Sequence, residues 1–412
     1  MKISKNARNA IFIGSLCSVS YLAVYFARNT LSAVSPHMLD DGFSEGFIGV
    51  ASSLYFICYA CGQLINGAIG NKVKARYMIS LGLLLSGISN YVFMMLASSQ
   101  TVAYIAYGIS GFFLSMIYGP MTRVVSENTE PIHATRCSLG YTFASFIASP
   151  AAGLFATFLA WQGVFTVTAS MLVVMAAISF TFFLIFERKG IVSYGKFQPK
   201  ERGVKGIGLL FKREIVRFSL VSIITGVIRT SVVFWLPTYL VQRLNFSSDT
   251  ASSLFAITTL IISFTAFIAV FVFERLKRNL HVTILIAFSL STVFFIAVYF
   301  VTHPVINIIC LTAAIMSSGM AATMLFSRYC PSLRDTGMVS GATGFLDFLS
   351  YMAAAFSNWL FPNAVAVVGW GGLILVWVGI VAFGVMVALP YKKIFRIKED
   401  KGAEEQGSAS ID

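Results

Sequence analysis

The sequence predicts an all-α integral membrane protein of twelve transmembrane helices, built as two related six-helix bundles. Three observations predict it: a composition too apolar for water, twelve apolar runs of spanning length, and an internal repeat of about 200 residues. Of 412 residues, 57% are hydrophobic and 11% charged, and the mean hydropathy is +0.80. Surface-to-volume scaling leaves a soluble chain of this size too little interior to hide so much apolar surface, so its solvent is lipid.

Crossing a hydrocarbon layer of ~30 Å takes about 20 helical residues. Apolar runs of that length, punctuated by Gly, Pro, Asn or charges, lie near 10–34, 46–69, 76–97, 101–123, 138–159, 164–186, 215–241, 250–273, 280–301, 304–326, 337–361 and 369–390. The first begins after Arg8 and is long enough to span, so it reads as a helix and not as a cleaved signal.

The net charge of +13 does not mark a nucleic-acid binder, because the cations fall in short loops between apolar runs. Lys2, Lys5 and Arg8, then Lys72, Lys74 and Arg76, then Arg275, Lys277 and Arg278, then Lys392, Lys393, Arg396 and Lys398 mark ends that face the cytoplasm. The first connection carries Asp40, Asp41 and Glu45 and faces outward. Both termini are thus expected in the cytoplasm, in a multi-pass protein of the cell (inner or plasma) membrane. The expected division is a bundle over 1–187, a cytoplasmic loop over 188–213, a second bundle over 214–391 and a tail over 392–412. The loop holds Arg188, Lys189, Lys196, Lys200, Arg202, Lys205, Lys212 and Arg213 and reads as a solvated tether or a lipid-headgroup patch. Cys58 and Cys61 have no second pair or clustered histidine, so they read as packing residues, and no metal or cofactor is expected.

The repeat locates a site. Ala51-Ser52-Ser53-Leu54-Tyr55 falls on Ala251-Ser252-Ser253-Leu254-Phe255, and Gly140-Tyr141-Thr142 on Gly341-Ala342-Thr343. A shift of 201 residues (229 minus 28) carries Arg28 onto Arg229 and Pro36 onto Pro237. Each arginine lies eight residues, or ~12 Å of helix, before a proline expected to end its span, so both guanidiniums are expected at one depth. A charge in hydrocarbon costs at least ~2.5 to 3.5 kcal/mol, so such residues face a cavity and act there. Two facing cations repel unless an anion lies between them, and guanidinium forks match the oxygens of phosphate. Pairing of each arginine with a buried carboxylate is the alternative, and Asp347 is the one clear intramembrane acid.

Tyr21-Leu-Ala-Val-Tyr25-Phe-Ala-Arg28-Asn29, Pro36-His-Met, Gly42-Phe-Ser44 and Ile48-Gly49 resemble the first span and loop of the organophosphate:phosphate antiporters of the major facilitator superfamily. Arg229 with Trp235-Leu-Pro237-Thr-Tyr239-Leu240 resembles that family's seventh span, and Gly119-Pro120-Met-Thr-Arg123 and Gly341-Ala-Thr343-Gly344 are similar to its fourth and eleventh. The resemblance covers nearly the whole chain. It implies the superfamily's fold in a monomeric carrier that exchanges a phosphorylated metabolite, such as glycerol 3-phosphate or a hexose phosphate, for inorganic phosphate. It further implies that Arg28 and Arg229 clamp the phosphate while Tyr21, Tyr25, Gln63, Tyr118 and Asp347 complete the substrate site. Gln63 stands where glycerol 3-phosphate carriers have a lysine, Ile147 where they have a histidine, Asp347 where they have a glycine, and Asn71 replaces a loop acid. Asp347 has three readings: it receives a cationic or hydroxyl group of the substrate, it serves proton coupling, or it pairs with Arg229 in the unloaded state. Two rival functions stand beside exchange, a proton-coupled organic-anion symporter and a carrier-like membrane sensor of phosphorylated sugars. An enzyme is not expected: HExxH, P-loop and nucleophile-elbow patterns are missing, and His37, His133, His281 and His303 lie near span ends.

Overall fold

The structure, a computed structural model, describes residues 4–69, 73–194, 211, 214–333 and 339–389. Lys2, Asn71, Lys72, the loop cations from Lys196 to Lys205, Lys212, Arg213 and the tail cations from Lys392 onward lie outside the described residues. The chain is helical throughout its spans. Helices α1 to α6 are Lys5–Asp40, Glu45–Ile69, Ala75–Met95, Gln100–Asn128, Pro131–Phe158 and Trp161–Arg188. The seventh span, α7, is composite: Ile215–Gly226, a π-helical turn Val227–Val232, and Leu236–Gln242. Ser248–Ser263 and Thr265–Arg275 form α8, and Leu280–Phe300 forms α9. Pro304–Met324, a second π-helical turn Leu325–Tyr329 and Cys330–Ser332 form α10. Val339–Ala388 runs as one helical path of 50 residues bent at Gly369, whose φ of 66° favours glycine. That bend divides it into α11 (339–368) and α12 (370–388). The expected twelve spans are therefore present.

Two boundary expectations are corrected. The eleventh and twelfth spans are not separated by a loop over 362–368, since the helix continues through Pro362 to the bend. Pro36 does not end the first span either, because α1 continues four residues beyond it to Asp40. A proline inside a helix frees the carbonyl four residues earlier. Here that carbonyl belongs to Ser32, and the Ser35 hydroxyl donates to it at 2.9 Å. The local replacement keeps the backbone satisfied, which lipid requires. Pro237 likewise opens the last helical piece of α7 instead of closing the span. Cys61, expected to pack, is exposed.

The contact pattern repeats between the bundles. In the first, α1 packs on α5, α2 on α4, and α3 on α4 and α6. In the second, the Ser222 hydroxyl of α7 donates to the Leu346 carbonyl of α11, and α9 packs on α10 and, through Phe295 and Trp377, on α12. The duplicated Ala-Ser-Ser motif lies at the two seams between bundles. Ser53 of α2 donates to the Ala355 carbonyl of α11 at 2.8 Å, and Ser253 of α8 bonds Thr157 of α5 at 3.1 Å. Small residues let the backbones meet, as at Gly49, where an added Cβ would stand 2.7 Å from the Asn358 carbonyl oxygen.

Polar contacts between the bundles gather at the end holding the first connection. Ser32 donates to the Phe234 carbonyl at 2.6 Å, Ser35 bonds Thr238 at 3.1 Å, and Gln242 donates to Glu45 at 2.6 Å. His37 meets Asp249 at 3.0 Å, and Ser248 bonds Asp40. At the other end, on the face of α11 that carries Tyr351, Gly344 and Gly341 have no atom within 4 Å of where a Cβ would stand. The polar contacts thus join the bundles at the end that holds the first connection.

Candidate functional site

Helical spacing gathers aromatic and charged side chains at the middle of the molecule. On α1, Tyr21, Tyr25 and Arg28 lie at i, i+4 and i+7, on one face. On α2, Phe56, Tyr59 and Gln63 share a face, and on α11 Asp347 and Tyr351 lie one turn apart. The three faces converge on Arg28. Its Nη1 donates to the Tyr351 hydroxyl at 2.7 Å. Its guanidinium carbon lies 4.7 Å from the Tyr351 ring centre, 5.3 Å from Tyr25, 5.4 Å from Phe56 and 5.6 Å from Tyr59. Each such ring contact contributes about 0.5 to 2 kcal/mol, which offsets the cost of a cation in a place poor in water. Tyr351 belongs to the second bundle, so this box closes across the seam between α2 and α11.

Arg229 is held differently. It projects from the π-helical turn of α7 and is exposed. Among the described residues it makes no hydrogen bond and no ion pair. The turn follows Gly226, where α7 touches the backbone of α11: an added Cβ would stand 2.3 Å from the Ser350 carbonyl oxygen. In the repeat, Gly226 takes the place of Tyr25 and Pro150 that of Tyr351 (351 minus 201), so the aromatic box has no counterpart in the second bundle.

Tyr25, Arg28 and Arg229 border one cavity of about 210 Å³, with Asn29, Ser145, Ser149, Thr230, Thr259 and Thr323 among its other walls. A volume of that order suits a small metabolite. The other sequence-chosen residues lie beside it. Tyr21 is buried with its ring centre 4.8 Å from that of Tyr25 and 5.5 Å from that of Tyr118, which is exposed. Asp347 lies beside Gln63, in the field of Arg229 first and Arg28 second. Among the described residues no ion pair within 4.0 Å joins it to either arginine, so the unloaded pairing with Arg229 is not the arrangement present. Phe56, Tyr59 and Tyr351 were missed. The i, i+4 spacing of Tyr351 from Asp347 was the available signal.

Tyr351→Phe separates the two supports of Arg28, removing the hydroxyl while keeping the ring. If a bound anion replaces that hydroxyl, the empty protein alone loses the bond, worth about 1 kcal/mol. An anion bound there would then bind about fivefold tighter by calorimetry, while the unliganded protein melts at a lower temperature. An unchanged affinity means that Tyr351 keeps its bond in the loaded state.

A family model described as Major Facilitator Superfamily matches residues 17–357. The glycerol-3-phosphate transporter of Bacillus subtilis (strain 168) is 23% identical over 405 residues, covering 89% of this chain and 88% of that protein. A probable hexose phosphate transport protein of Chlamydia muridarum is 21% identical, over 90% of this chain and 88% of its own length. Among solved structures, a D-xylose-proton symporter superposes with a TM-score of 0.71 at 13% identity, covering 92% of this chain and 97% of that one.

Proposed function

The chain belongs to the Major Facilitator Superfamily, and from that premise we propose that it carries a phosphorylated metabolite across the membrane by alternating access, in exchange for inorganic phosphate. The observation that carries this reading is that Arg28 and Arg229, one from each bundle, border a single cavity. An anion bridging them draws the bundles together and lowers the cost of reorientation. An empty site leaves two like charges facing each other, which makes the unloaded return slow and exchange obligatory. Tyr21, Tyr25, Gln63, Tyr118 and Asp347 complete the substrate site in this proposal. The bundles span 1–187 and 214–391, joined by the loop 188–213, with the tail 392–412 and both termini in the cytoplasm, as the placement of Lys and Arg favours. The arrangement described is then the one open toward the cytoplasm. The names of the glycerol-3-phosphate and hexose phosphate relatives support the substrate class.

The test is counterflow. Proteoliposomes loaded with labelled phosphate are expected to release it rapidly only when an external phosphorylated compound or phosphate is supplied. Release equally fast without external substrate overturns exchange. Binding with no flux in either direction overturns transport in favour of a sensor.

A further inference from the structure

We propose that the site prefers zwitterionic phosphorylated amines, with the phosphate between Arg28 and Arg229 and the ammonium on Asp347. This rests on the arginine pair acting as the phosphate clamp.

Three observations lead here. First, Asp347 lies beside the Gln63 amide and has no cation within ion-pair distance among the described residues. A carboxylate offers about four acceptor positions, so most of its capacity is unused. Second, there is space for a ligand group beside it, because Gly344, one turn before Asp347 on α11, has nothing among the described residues within 4 Å of its Cβ position.

Third, six of the nine hydroxyls that line the adjoining cavity have spent their donors. Ser32, Ser145, Thr259, Ser263, Thr265 and Thr323 each donate to a backbone carbonyl, at 2.6, 2.7, 2.7, 2.8, 2.5 and 3.0 Å. What these hydroxyls present is lone pairs. An ammonium has three donors and no acceptor, whereas each polyol hydroxyl also brings acceptors that these six hydroxyls do not satisfy.

Charge balance agrees. Two guanidiniums and one carboxylate sum to +1, from +2 and −1. A phosphate monoester carries about −1.5 to −2, which with one ammonium leaves a ligand near −1. That neutralises the site, whereas a phosphorylated polyol leaves it about one charge too negative.

The experiment measures heat stabilisation of purified full-length protein by inorganic phosphate, glycerol 3-phosphate and O-phosphoethanolamine, in wild type, Asp347→Asn and Asp347→Glu. In wild type, O-phosphoethanolamine is expected to act at a concentration at least about tenfold lower than glycerol 3-phosphate. In Asp347→Asn the order crosses over: the amine compound weakens, while glycerol 3-phosphate tightens because an opposing negative charge is gone. Asp347→Glu restores the wild-type order and shows that the fold tolerates change at this position. A preference that stays the same in Asp347→Asn, or wild-type responses that are equal for the two compounds, overturns the inference while leaving the clamp intact. Wild type that responds to none of the three, inorganic phosphate included, overturns the clamp and the inference with it.

Discussion

Replacing Arg229 by lysine is expected to weaken phosphate binding about 10- to 150-fold and to slow counterflow in proportion, while leaving the melting temperature of the empty protein unchanged. The positive charge persists, but an ammonium cannot present two parallel N–H groups to one phosphate. One lost charge-assisted hydrogen bond is worth about 1.5 to 3 kcal/mol. The unchanged stability follows because Arg229 has no protein partner among the described residues to lose. The same substitution at Arg28 behaves differently: lysine forfeits the bond to Tyr351 and the stacking on four rings, so stability falls along with affinity. Titration calorimetry together with thermal melts of both variants checks this. An Arg229→Lys protein that binds phosphate as well as wild type rules out the two-pronged grip.

Gly226→Ala is the second large effect. The new methyl would stand 2.3 Å from the Ser350 carbonyl oxygen and 2.8 Å from that residue's Cα. Those are backbone atoms, so no side-chain rotation relieves the clash and α7 must move away from α11. Overpacking of this kind costs about 1 to 3 kcal/mol or more, and it displaces the π-helical turn that aims Arg229. Both the yield of folded protein and counterflow are expected to drop sharply. Gly379→Ala on α12 is the control. Nothing lies within 4 Å of its Cβ position, and alanine in a helix is favoured over glycine by up to about 1 kcal/mol. Equal melting temperatures for the two variants contradict the packing account.

The spans were legible because hydrocarbon thickness imposes one length on every helix, so runs of apolar residues declare themselves without tertiary information. Arg28 and Arg229 were legible for a related reason: a charge in such a run is conspicuous, and the repeat pairs one with the other. The aromatic box was not. Phe56, Tyr59 and Tyr351 come from two other spans, and in an apolar span a ring that packs looks the same as a ring that holds a cation. The helix ends at proline were misjudged because hydrogen bonding, not chain stiffness, decides whether a helix survives. Ser35 next to Pro36 supplied the missing donor, a compensation visible only once the geometry is known. The π-helical turn at Val227–Val232 left no trace in residue spacing, since Arg229 and Pro237 repeat the Arg28 and Pro36 interval without it.

If an anion bridges the two arginines as proposed, their unequal setting orders events in time. A solute arriving through the open end meets Arg229 unencumbered, so its first contact costs no broken bond. Engaging Arg28 requires trading away a phenol, which delays the second contact until the solute is already seated. Capture and commitment become separate steps, and a solute too short to reach from one arginine to the other stalls after the first.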